Sequence, residues 1–418
     1  MIGAALWLHP DNKQDYLVQA GIAMLVGLIA LAIAMRGVAL VAWRTHAVSS
    51  VRRPRWWMIG LGAILLAVLA ENNALRFAPP EFDFMSTHVQ FALLAGGIAL
   101  ILIGLRDAPR GDRITGTEWL LIIGLFLVAL VPRVVALDTL VRSLVDELPW
   151  VDGIRNFWWR PDVELLRPMS TVFPFTSIFP YWEAGAVEIF GHGFFGLRIV
   201  SSVLGALTVV ALYALARHLF DRTTALVAAI LLAFFPPHIH FSRLALLNMA
   251  DPLPGTLAFA WAVRGLRYNR RLDWALAGVA LGATHYFFEA GRLLYTPLMI
   301  IWLGWLLLTW RDAEGRNSLR SCWRGVGVMI LTALLVALPV YYVFNAQGEA
   351  LAGRLNQSAQ SGEFIANVLS GNQPIDDLVR QALTPLLMFV NRPESVAYYG
   401  GDQPLILTGI VPLFLLGV

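Results

Sequence analysis

The sequence predicts an all-α integral membrane protein, a polytopic helical bundle with about 11 transmembrane helices joined by large extracytoplasmic loops. Three observations predict it. Apolar residues make up 58% of the 418-residue chain and charged ones only 14%, a balance foreign to soluble domains. The apolar residues fall in runs near the length that crosses a bilayer, about 20 residues. No ten-residue alternating segments suggest a barrel, and unpaired backbone groups are prohibitive in lipid, so the runs are helices.

Taken in order, the expected spans are 17–35, 57–70, 89–105, 119–137, 197–219, 224–237, 252–266, 274–288, 293–310, 326–344 and 405–418. The first is long enough to span, and Asp11, Lys13 and Asp15 precede it where a secretory signal peptide would carry a basic region. Arginines sort the connections. Segments 36–56 (Arg36, Arg44, Arg52, Arg53, Arg55), 106–118 (Arg106, Arg110, Arg113), 217–223, 264–273 (Arg264, Arg267, Arg270, Arg271) and 311–325 (Arg311, Arg316, Arg320, Arg324) fall on one side. They hold more than half of the 31 basic residues and a quarter of the 28 acidic ones. One alternation satisfies every span, so the Arg-rich side is cytoplasmic and loops 138–196, 238–251 and 345–404 face outward. The arginines are topology signals, not a nucleic-acid surface. The single cysteine, Cys322, excludes a disulfide framework and a cysteine-based metal site. The basic, Gly- and Pro-containing stretch Arg106–Thr117 marks a boundary between a three-helix N-terminal module, 1–117, and a core, 118–418. The chain stops inside an apolar stretch and reads as the N-terminal portion of something longer.

Bulk on the outer face implies chemistry there. Asp146-Glu147 stands out, an acidic pair nine residues beyond the 119–137 run, opening a long segment rich in Trp, Phe, Pro and Arg. Carboxylates beside hydrocarbon lose hydration, which makes them uncommon without a role. Adjacent side chains in a helix point about 100° apart, so the two are not expected to serve one atom. The segment FPPHIHFSRLALLNMADPL contributes Arg243, Asn248 and Asp251, with His238 and His240 before them. THYFFEAGRLLYTP contributes Glu289 and Arg292 at an outer helix mouth. Arg198, at the start of the next span, reads as structural. Trp150, Trp158, Trp159 and Trp182 suit an interfacial belt first and a sugar or isoprenoid platform second.

An acidic pair shortly after a spanning helix, followed by FGLRIVSSVLGALTVVALYALARHLFDRTTALVAAILLAFFPPHIHFSRLALLNMADPL, resembles the GT-C membrane glycosyltransferases. More specifically, it looks like the protein O-mannosyltransferase and aminoarabinose-transferase group, glycosyltransferase families 39 and 83, over roughly 119–310. That resemblance implies a GT-C-type fold at a bacterial inner membrane, moving a sugar from a polyprenyl-phosphate donor to a glycan, lipid or protein acceptor outside. It implies Asp146 as general base, Glu147 orienting it or the acceptor, and Arg243, Arg292, Asn248 and Asp251 at the donor phosphate or sugar. A divalent metal is compatible but not required, and the two histidines lack a third ligand. The chain departs from the family at 173–181, where no basic residue accompanies the prolines; Arg167, just upstream, is the substitute. Two other readings remain: a transporter or flippase for a lipid-linked sugar, or a non-catalytic relative.

Overall fold

In a computed structural model of the chain, the described residues are 53–77, 79, 85–107, 115–139, 145–169, 175–311 and 318–348, with 370–371, 374, 387–390, 404–406 and 411. Twelve helices follow in order: α1 (Trp56–Ala74), α2 (Thr87–Leu105), α3 (Gly116–Val134), α4 (Leu148–Trp159), α5 (Ile178–Phe190) and α6 (Phe194–Leu219). Then come α7 (Arg222–Ala233), α8 (Pro236–Ser242), α9 (Pro252–Tyr268), α10 (Arg271–Ala283), α11 (Glu289–Thr309) and α12 (Trp323–Ala346). A single turn at Ser318–Ser321 and two 3-10 turns, Val145–Glu147 and Leu247–Ala250, complete the set. Every expected span from 57–70 to 326–344 coincides with one of these helices. The span 17–35 lies outside the described residues, and only three residues of 405–418 are described.

Among the described residues, six helices are long and apolar enough to cross a membrane, or seven if α7 and α8, bent by 58°, form one span. The bend sits at Pro236-Pro237, since proline lacks an N–H and restarts a helix more readily than it continues one. Helix α9 has 17 residues and α10 only 13. Both are rich in Ala and Gly and buried among their neighbours, so packing defines them more than lipid contact does. A Cβ at Gly278 of α10 would collide with Thr332 and the Met329 carbonyl of α12; glycine lets those two backbones meet. Elsewhere the large apolar side chains point outward. Trp119, Leu120, Ile123, Leu127 and Val131 of α3 are exposed, as are Leu294, Leu298, Ile301 and Leu308 of α11. Such surfaces require an apolar surrounding.

Helix starts follow local chemistry. Thr115 accepts from the Glu118 amide at 3.2 Å, and Asp221 accepts from the Thr224 amide at 2.8 Å. The segment 138–196, read from the sequence as a loop, contains α4 and α5. Helix α4 buries Trp150, Gly153 and Ile154, an i, i+3, i+4 stripe short enough to be hidden among its prolines and tryptophans. The long helix α6 packs against α3, α5, α7 and α9 and forms the axis of the bundle.

The two ends are chemically distinct. At the end carrying the arginine-rich connections, Arg271 donates to the Leu105 carbonyl at 2.8 Å, and Arg222 pairs with Glu118 at 3.5 Å. At the other end, segment 161–167 docks on the tips of α1 and α2. The amides of Leu165 and Leu166 donate to Gln90 (2.8 Å) and Asn73 (2.7 Å), and Thr87 bonds the Pro161 carbonyl. The described residues from 53 to 348 fall within one unit, Trp43–Arg354; the other, Met1–Ala42 with Leu355–Val418, contributes a few described residues.

Candidate active site

The acidic pair divides into two environments. Glu147 is 2% exposed and forms a bidentate ion pair with Arg198, itself 0% exposed: Nε to Oε1 at 2.8 Å and Nη2 to Oε2 at 2.7 Å. Glu147 Oε1 also accepts from the Ala245 amide at 2.9 Å, and Arg198 Nη1 donates to the Leu137 carbonyl at 3.1 Å. The guanidinium lies 4.6 Å from the Phe194 ring centroid. One buried pair thus ties together the end of α3, the 3-10 turn Val145–Glu147, the start of α6 and the segment after α8. Two charges can be buried this way because fork matches carboxylate and the spare groups are bonded. Arg198 is structural, as the sequence suggested. Asp146, next in the same turn, is half-buried. Its neighbour's ion pair holds its backbone.

Glu183 of α5 is a residue that sequence reasoning missed. It is 0% exposed, and neither carboxyl oxygen finds a hydrogen-bond partner among the described residues. Burial, with Glu147 nearby adding repulsion, pushes its carboxyl well above the usual range, favouring the neutral form. The available signal was its place on the buried stripe Phe179, Pro180, Glu183, Ala184, Val187.

The second group of predicted residues lies around α8, α9 and α11. Arg243 donates to three carbonyls at the end of α3: Pro132 at 2.7 Å, Val135 at 2.8 Å and Ala136 at 3.0 Å. That is a helix C-cap by a cation, favoured by the helix dipole. Asn248 is exposed, whereas Asp251, three residues on, is buried. Asp251 Oδ2 accepts from the Gly291 amide at 3.1 Å, and Oδ1 has no hydrogen-bond partner among the described residues. Burial holds its carboxyl well above the usual carboxylate range, against the pull of that amide and of Arg292. A Cβ at Gly291 would strike this carboxylate, which explains a glycine in the first turn of α11. Arg292 donates to the His285 carbonyl at 3.0 Å, and its guanidinium lies 5.0 Å from the Phe344 ring centroid. His285 meets the Tyr341 hydroxyl at 2.5 Å and Thr296 at 3.0 Å. His238 sits 2.7 Å from Arg133, and among the described residues no three His, Cys, Asp or Glu converge as metal ligands.

Arg167 donates to Glu164 at 2.5 Å and to the Asn73 carbonyl at 2.6 Å, at the rim of a half-open cavity of about 570 Å³. This cavity begins two residues after Asp146, at Leu148, and lies between α4, the docked segment 160–169 and the start of α5. Of the tryptophans, Trp150 is buried against Phe175 and Phe179, and Trp158 and Trp159 are exposed.

Fold and site define a class: a polytopic all-α membrane protein whose acid pair, beyond a spanning helix, is anchored by a buried arginine at one end of the bundle. Residues 176–343 match the family model described as dolichyl-phosphate-mannose-protein mannosyltransferase. The chain is 34% identical over 167 residues to an undecaprenyl phosphate-alpha-4-amino-4-deoxy-L-arabinose arabinosyl transferase of Pseudomonas paraeruginosa, and 34% identical over 176 residues to the enzyme of that name from Pseudomonas aeruginosa PAO1. Each alignment covers 38% of this chain and 28% of the relative's length. No solved structure matches. The GT-C resemblance read from the motifs is borne out by this segment, which contains Glu183, Arg198, Arg243, Asp251 and Arg292. Asp146 and Glu147 precede it.

Proposed function

We propose that this chain transfers a sugar from a polyprenyl-phosphate donor to an acceptor hydroxyl on the extracytoplasmic side, with Asp146 as general base. The observation that carries this reading is the Glu147–Arg198 pair, which fixes the turn bearing Asp146 at the same end of the bundle as Asp251 and Arg292. In the reaction Asp146 takes the acceptor's hydroxyl proton as the oxygen attacks the anomeric carbon. The bond from that carbon to the phosphate oxygen breaks, and the electron pair leaves with the polyprenyl phosphate. Arg292 is the principal cation for the departing phosphate, since a guanidinium stays charged and can donate two parallel hydrogen bonds. Arg243, which caps α3 through three carbonyls, and Arg167, which holds Glu164, contribute a long-range positive field, while Arg292 exchanges its His285 carbonyl for the phosphate. Asp251 orients Arg292 and the first turn of α11, and Asn248, exposed nearby, is a hydroxyl contact.

Supporting the outward orientation are the arginine alternation and the joining of the helix ends it assigns to one side, as in the Arg243 bonds to α3. Supporting the donor class are the names of the similar relatives. The test is transfer from a polyprenyl-phosphate-sugar donor in liposomes. Asp146→Asn should lose about 10²–10⁴-fold in rate while the donor still binds. Retention of more than about a tenth of wild-type turnover would move the base elsewhere, most directly to Asp251.

A further inference from the structure

The cavity of about 570 Å³, whose wall begins at Leu148, two residues along the chain from Asp146, has a lining that selects among ligand chemistries. Its volume lies in the range that encloses a small organic ligand. Its charged residues balance: Arg160 and Arg167 against Asp152 and Glu164. Both cations are already engaged by carboxylates. Arg167 holds Glu164 at 2.5 Å, and Arg160 lies 3.6 Å from Glu164 and 3.5 Å from Asp162. A phosphate entering here would meet two carboxylates and no uncommitted positive field, so an anion is disfavoured. An isoprenoid chain is disfavoured as well, because charged and amide groups interrupt the wall.

What remains suits a neutral polyhydroxyl ring. A sugar hydroxyl donates and accepts at once, so carboxylate, carboxamide and guanidinium in one wall can each be used. Asp152 and Asn156 stand one helical turn apart on α4 and are exposed into this space. Pro149, Pro168, Met169 and Pro180 supply the apolar surface that packs on the C–H faces of a ring. The floor is preorganised. Segment 161–167 is pinned to Asn73 and Gln90, both fully buried, and Arg167 Nε is anchored on the Asn73 carbonyl.

We propose that this cavity between α4 and segment 160–169 is a carbohydrate subsite holding a ring of the acceptor, which makes the acceptor a glycan or glycoconjugate. The acceptor assignment rests on the transfer reading above; the carbohydrate chemistry of the cavity does not. The full chain is purified in an amine-oxide detergent, which carries no sugar headgroup of its own. Maltose, cellobiose and N,N′-diacetylchitobiose are tested by saturation-transfer NMR, with inorganic phosphate as competitor. At least one disaccharide should bind, unaffected by phosphate and retained in Asp146→Asn. Asn156→Trp, which fills the cavity from an exposed position, should abolish the signal. Asp152→Asn, which alters no packing, should weaken it by about tenfold, the loss of one charge-assisted hydrogen bond. Absence of binding by all three disaccharides, displacement by phosphate, or undiminished binding in both variants would overturn the proposal. Disaccharide binding by a chain that transfers no sugar would remove the catalytic reading and leave the carbohydrate site. Transfer without disaccharide binding would do the reverse.

Discussion

Replacing Arg198 by Met removes the charge from the most deeply buried ion pair among the described residues while keeping much of its bulk against Phe194. Among the bonds lost are two to Glu147 at 2.8 and 2.7 Å and one to the Leu137 carbonyl at 3.1 Å. Glu147, 2% exposed, keeps the Ala245 amide but loses its counter-charge. Breaking a buried pair from one side costs about 3–5 kcal/mol, because the surviving charge is uncompensated. That is a large share of the roughly 5–15 kcal/mol that holds a domain together. The reverse change should be milder. In Glu147→Gln, Arg198 keeps the Leu137 carbonyl and the Phe194 ring, and the new carboxamide oxygen can still accept from the guanidinium. Thermal unfolding in detergent at fixed scan rate and denaturant unfolding both read the difference. Arg198→Met should unfold well below wild type, with Glu147→Gln between them. If Arg198→Met lies within about 1 kcal/mol of wild type, the pair does not anchor the turn carrying Asp146 and the argument built on it fails.

Glu183 gives a pH signature. Its folded-state pKa is raised above the unfolded value of about 4.3, so the folded chain binds the extra proton and stability falls as pH rises from that value toward the folded one. Glu183→Gln should flatten that slope and stabilise the protein at neutral pH; an unchanged pH profile would mean the carboxyl is ionised in place. For the arginines, Arg243→Ala should lower thermal stability by about 1–3 kcal/mol through the uncapped carbonyls of α3, whereas Arg292→Ala should raise the apparent donor KM and spare the acceptor's. Equal kinetic losses in both would return Arg243 to direct phosphate contact. For orientation, single cysteines at Asn248 and Glu188 in a Cys322→Ser background should react with an impermeant thiol reagent in whole cells, and one at Asp221 should not. Labelling of Asp221 alone would invert the topology.

The spans were legible because lipid imposes one rule on every residue of a crossing helix, and nine apolar runs read from the sequence recur as helices among the described residues. Which connections gather at one end was legible because arginine placement is a local property of each connection, and 106–118 meets 217–223 and 264–273 there. The helices within 138–196 were not, since α4 and α5 owe their apolar stripes to partners brought from α6 and from the segment after α8. The spacing of Asp146 and Glu147 predicted that they would diverge, and they do, one half-buried and one sealed against Arg198.

By itself the sequence determined that this chain crosses a membrane many times, which helix ends share a side, and which residue types gather there. It determined these because hydropathy and charge act on each segment alone. Only the tertiary structure decided which of those residues are engaged. Arg198 and Glu147 are distant in the chain and close in space, Arg243 is spent on the carbonyls of α3, and Glu183 has no hydrogen-bond partner among the described residues. Whether a buried charge is free to act depends on the groups that surround it, and many of those come from other helices.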